Sequence, residues 1–163
     1  MHSKIRCSSL YVVRYEPRDH LVVRLGDPGF PNVYTKADLP WIPVEYYTNF
    51  NKVRNDIKAD IWAFATTIWE IFSHGKTPPL LYMTKNHKLP KPKGCNDNIY
   101  EIMLAGWSIE AHNRISPQLI FPKLIFVREK YIHPYQTISP IELSVNGSHR
   151  SMESYDTGIN YYY

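Results

Sequence analysis

The sequence predicts an α+β fold that is mainly helical, with one β-hairpin near its N-terminal end. Two β-branched runs, Leu10-Tyr11-Val12-Val13-Arg14-Tyr15 and His20-Leu21-Val22-Val23-Arg24-Leu25, flank the turn-forming Glu16-Pro17-Arg18-Asp19. Between residues 55 and 74 the apolar period becomes helical, with Ile57, Ile61, Phe64, Ala65, Ile68, Ile71 and Phe72 on recurring turns. Strands come first and helices after them, so the two kinds of element are segregated along the chain.

Each element has a local reason. In Gly26-Asp27-Pro28-Gly29 the proline presets φ and the glycines tolerate positive φ, which makes a tight turn leaving the second strand. Residues 31–43 are punctuated by proline and read as loop, and 44–47 as one helical turn. The helix of 55–74 can be capped by Asn55 or Asp56 and is stopped by Gly75 and Pro78. Trp62 and Trp69 widen its apolar face until it covers most of the circumference, which predicts a helix at the centre of the domain. A second helix is predicted over 97–107, carrying Ile99, Ile102, Met103 and Gly106. A third starts at Ser116 with Pro117 in its first position, and Pro122 should kink it or cut it short. Beyond Lys130 the chain turns to Ser, Pro, Asn and Gly. The expected organisation is one domain over 1–128 and a linker or disordered tail over 129–163.

With 163 residues and 44% hydrophobic content, the chain is long enough for one domain with a real core. Its net charge of +4 sets 19 basic residues against 15 acidic ones, and no basic-aromatic stripe points to nucleic acid. Cys7 and Cys95 are too far apart, and too few, for a disulfide framework or a zinc site, and read as thiols in a reducing compartment. No stretch approaches the roughly 18 apolar residues of a membrane span, and the first residues lack the apolar core of a leader, so a soluble intracellular protein is expected. The basic run Lys85-Asn86-His87-Lys88-Leu89-Pro90-Lys91-Pro92-Lys93 reads as a solvated loop. Trp41, Trp62, Trp69 and Trp107 read as core anchors without a ligand. Tyr34, Tyr155 and Tyr161 to Tyr163 are conceivable phosphorylation sites, with nothing in their spacing to distinguish them.

Three motifs in order resemble the second half of a protein kinase domain. Asp27-Pro28-Gly29 and Trp41-Ile42-Pro43-Val44-Glu45 look like the start and end of an activation segment, and Ala59-Asp60-Ile61-Trp62-Ala63-Phe64-Ala65 resembles the opening of the central helix of the C-terminal lobe. Proline between the aspartate and glycine resembles the pseudokinase domain of Janus-type non-receptor tyrosine kinases, and the runs 23–29 and 40–43 are most similar to its insect branch. The resemblance covers residues 2–126 and implies a C-lobe without its N-lobe. An opening at the catalytic-loop histidine is expected of a fragment.

The resemblance assigns His2-Ser3-Lys4 to the catalytic loop and Ser9 to the place of its metal-binding asparagine. A kinase needs an aspartate there to accept the substrate proton and an asparagine to hold magnesium. Lys4 is cationic and Ser9 is a neutral hydroxyl, so no catalytic residue is intact: His2, Lys4 and Ser9 are degenerate positions. Asp27 matches the magnesium-binding aspartate and, through it, the cofactor site. On the residues alone it reads first as a turn former bonded to nearby amides. Glu45 and Arg114 match a structural ion pair of the family, and Asp60 matches the aspartate that holds the catalytic-loop backbone, here through Ser3 or Lys4 amides. A solvated first-turn acid is the other reading of Asp60. The family's helix in the interval of the basic run is expected to be reduced or lost.

The functional expectations rest on that resemblance. The expected role is regulatory, in cytokine-receptor signalling of the JAK-STAT type, with a neighbouring tyrosine-kinase domain and receptor-associated signalling proteins as partners. The expected location is cytoplasmic, or peripheral at the membrane through the full-length protein. No cofactor is expected for this chain alone, and ATP with magnesium only in the intact domain. The alternative is a piece of an active tyrosine kinase transferring phosphate from ATP to protein tyrosine.

Overall fold

The computed structural model describes residues 1–16, 20–26, 34–84 and 88–131. The hairpin tip, the Asp27-Pro28-Gly29 turn and the tail with Tyr155 and Tyr161 to Tyr163 lie outside the described residues.

Strands β1 (Leu10–Glu16) and β2 (His20–Leu25) pair antiparallel, as their alternating β-branched composition dictates. The register runs Leu10 to Leu25 and Val12 to Val23, then shifts at Val13 so that Arg14 faces Val22, a β-bulge. Gly26 N–H donates to Ser9 O at 2.7 Å and closes the base of the ribbon. Tyr11, Val12, Val13 and Leu21 are exposed, so the core lies elsewhere.

It lies around helix α1 (Ile57–Phe72). Asp56 caps it, accepting from Lys58 N–H at 2.8 Å, and His74 and Gly75, at φ 57° and 77°, end it in the left-handed region. Ile61, Trp62, Ala65, Ile68 and Trp69 are buried, which is the all-round apolar character its sequence requires. A short helix α2 (Leu80–Thr84) comes next, then α3 (Asp97–Gly106), capped by Asn96 through Asn98 N–H. Ile102, Met103 and Trp107 complete the core against α1. Gly106 is what allows this approach, because a Cβ built there would stand 2.6 Å from Ala65 Cβ.

Three expectations need correction. Residues 31–43 do not form a plain loop, since Lys36–Trp41 is a 3-10 helix started by Thr35, whose N–H and hydroxyl both donate to Asp38 Oδ2. Helix α4 (Pro117–Tyr131) continues through Pro122 and past the expected boundary at 128. Pro122 is exposed and interrupts only the local ladder, while buried Ile120 and Val127 pack on the same core from either side of it. Just ahead of the basic run stands only the short helix α2, five residues long, and the described residues of the run itself are not helical. The described part of that run is only partly solvated: Pro90, Lys91 and Lys93 are exposed, while Leu89 and Pro92 are buried. Leu89 is fully buried, Trp69 Nε1–H donates to Pro90 O at 2.8 Å, Tyr100 hydroxyl donates to Leu89 O at 2.7 Å, and Lys88 Nζ donates to Trp107 O. Burial of apolar Leu89, next to Pro90, outweighs the flanking charges. Among the described residues no helix is long and apolar enough to cross a membrane.

Candidate functional site

The N-terminal loop, residues 1–9, lies along one face of α1 and is held by three of its side chains. Asp60, buried within the first turn, accepts His2 N–H on Oδ2 and Ser3 N–H on Oδ1, both at 2.7 Å. Ser3 sits at φ 69°, and this left-handed turn presents two successive amides to one carboxylate. Two turns on, Thr67 hydroxyl lies 3.1 Å from Ile5 O and 2.8 Å from Ala63 O. One turn further, Glu70 Oε2 accepts Cys7 N–H at 2.9 Å. Burial, with the Glu70 carboxylate beside it, pushes the Cys7 thiol up to about 12, so the sulfur stays protonated and unreactive.

The expected partner Lys4 is not one of the amides held by Asp60. Lys4 N–H instead donates to His2 Nδ1 at 3.3 Å, because the turn at Ser3 directs it back over the ring. His2 Nδ1 is thereby an acceptor, so Nε2 carries the proton and donates to Gly26 O at 2.5 Å, tying the loop to the end of β2.

The other side of the loop meets the segment of 34–42. Arg6 Nη1 pairs with Asp38 Oδ1 at 2.5 Å, and Tyr34 hydroxyl donates to Ser3 O at 3.1 Å. Lys4 Nζ lies 5.6 Å from the centre of the Tyr34 ring, which in turn packs on Phe50. Ser9 Oγ spends its proton on Lys4 O at 2.8 Å. The three carboxylates about the loop, Asp38, Asp60 and Glu70, all accept bonds from this frame.

A second joint lies below. Arg114, fully buried, donates from Nη2 to Glu45 Oε1 at 2.6 Å, from Nε to Ser108 O at 2.9 Å and from Nη1 to Lys58 O at 3.1 Å, and its guanidinium lies over Trp62. The structure brings Glu45 and Arg114 into one ion pair and sets Asp60 against the His2 and Ser3 amides. Thr67, Glu70, Arg6 and Asp38 were missed. The only local signal for the first two was their polarity, at Asp60's own face, in an otherwise apolar helix.

A family model of protein tyrosine and serine/threonine kinases matches residues 18–124. The chain belongs to the protein kinase family. Among curated kinases it is 35% identical to the tyrosine-protein kinase hopscotch of Drosophila melanogaster over 91% of this chain and 13% of that protein. It is 32% identical to the cytoplasmic tyrosine-protein kinase BMX of Homo sapiens over 67% of this chain and 17% of that protein, and 28% identical to the NT-3 growth factor receptor of Gallus gallus over 78% and 16%. The chain spans less than a fifth of the length of each of these relatives.

Ser9 offers a neutral hydroxyl already donated to Lys4 O, and among the described residues no cluster of three or more metal-ligating side chains is present. Asp27, the residue assigned to magnesium and cofactor from sequence, lies outside the described residues.

Proposed function

We propose that this chain is the C-lobe part of a pseudokinase domain from a Janus-type non-receptor tyrosine kinase, regulatory and without phosphotransfer of its own. The observation that carries the reading is Lys4. An ammonium group stands at the loop position where a kinase places its proton-accepting carboxylate, and it is held over the Tyr34 ring while Ser9 donates to the Lys4 carbonyl. What remains of the site is architecture: the ladder from Asp60 to Glu70 and the Glu45–Arg114 pair hold a loop and a segment in place. The similarity to hopscotch over 91% of the chain supports the Janus-type placement. The partner of such a module is a neighbouring tyrosine-kinase domain, with receptor-associated signalling proteins beyond it, in the cytoplasm or peripherally at the membrane. Asp27 is the residue assigned to ATP and magnesium in the intact domain.

The test is a pair of assays on the purified chain. With magnesium, labelled ATP and a tyrosine peptide, no label should enter the peptide and ATP should leave the melting temperature unchanged. Titrated into an active tyrosine-kinase domain of the hopscotch type, the chain should lower its rate. Label on peptide tyrosine would overturn the reading in favour of an active kinase fragment, and an unaffected rate would remove the regulatory role.

A further inference from the structure

Arg6 Nε–H and Trp41 Nε1–H are buried and have no hydrogen-bond partner, and they are the only buried side-chain nitrogen or oxygen atoms so left among the described residues. Both residues line the same small cavity between the N-terminal loop and the segment of 34–42, with Tyr34 and Asp38 also on its wall. The cavity measures about 10 Å³. That is close to the space a single water needs, on the order of 10–15 Å³. Trp41 is 9% exposed, so bulk solvent does not satisfy its indole.

We infer that this cavity binds one internal water molecule, which accepts from Arg6 Nε–H and Trp41 Nε1–H and joins the loop to the 3-10 helix of 36–41. A water oxygen has two lone pairs for these two donors. One of its own hydrogens finds an acceptor in Asp38: the carboxylate lines the cavity, and its three bonds from Arg6 and Thr35 leave one lone pair, on Oδ1, of the roughly four it holds. A halide ion is larger than water and would meet the Asp38 charge, and an ammonium ion has no lone pair to accept with. Arg6 is thus anchored twice, directly to Asp38 through Nη1 and to Trp41 through water at Nε.

The experiment is a crystal structure of the full chain at a resolution that shows ordered water, with a second crystal soaked in bromide. A single density peak at about 2.7–3.2 Å from both nitrogens, without an anomalous bromide signal, is the expected result. A peak bonded to one nitrogen only, an anomalous bromide peak, or both donors paired to protein carbonyls with no density between them would each overturn the proposal. In solution, rotating-frame transfer from water should reach the Trp41 indole proton with the sign of a dipolar contact. Its absence in the unsubstituted protein would equally overturn it.

Discussion

Arg114 Nη2 lies 2.6 Å from Glu45 Oε1 across 69 positions of sequence, and the two partners are unequally buried: the arginine side chain is 0% exposed, the glutamate 32%. The consequences of breaking the pair are therefore unequal. Arg114→Ala strips donors from Ser108 O and Lys58 O as well as from Glu45, and should destabilise by about 3–5 kcal/mol. Glu45→Ala leaves the guanidinium its backbone acceptors and should cost about 1–3 kcal/mol. The double variant should lose less than the sum, by about 0.5–3 kcal/mol, in urea unfolding. Additive losses would show that the pair is not formed in solution.

That pair was legible in sequence because it rides on two motifs, and α1 and α3 were legible because apolar periodicity reports which face is buried. Other features leave no such trace. Glu70 and Cys7 are 63 residues apart, and nothing near either announces the bond. Thr35 and Asp38 did carry a local signature, a threonine with an acid three residues later, but the surrounding prolines outweigh it and make the 3-10 helix look like loop. Pro122 shows the reverse error. A breaker was given its full local weight, while the core contacts of Ile120 and Val127 that hold the helix across it are tertiary.

Asp60 carries the N-terminal loop on both of its oxygens, so its charge is less important than its two acceptors. Asp60→Asn turns one acceptor into a donor facing an amide N–H. It should destabilise by about 1–3 kcal/mol and remove the exchange protection of the Ser3 amide. Unchanged protection of that amide would show that the loop is held by other contacts.

Gly106 sets the distance between α1 and α3. A methyl group there would stand 2.6 Å from Ala65 Cβ and 3.3 Å from Ile61 O, and the latter is backbone that cannot swing away. Gly106→Ala should cost about 1–3 kcal/mol by overpacking, more than the roughly 1 kcal/mol that alanine gains as a helix former. Ala65→Gly in the same background should recover part of the loss by opening room for the methyl. A Gly106→Ala protein that melts at or above the parent temperature would mean the two helices do not pack this closely.

Alkaline pH should weaken the fold before it reaches the tyrosine or thiol groups of the folded state. Burial pushes Tyr46 and Tyr47 up from 10.0 to about 12, with the Asp56 carboxylate accepting the Tyr46 proton and Glu45 near both, and it pushes Cys7 up from 9.0 to about 12. Each group keeps its proton in the folded chain at a pH where the unfolded chain has lost it. Their stabilising effect is thus complete below about pH 9 and is lost progressively as pH rises toward 12. Thermal melts should be flat in this respect from about pH 7 to about 8.5 and fall steadily above about pH 9. Tyr47→Phe, which keeps the ring and removes the titrating hydroxyl, should flatten the upper part of that slope while giving up the bond to Leu39 O at neutral pH. A slope equal in the parent and in Tyr47→Phe would show that Tyr47 titrates alike in the folded and unfolded chains.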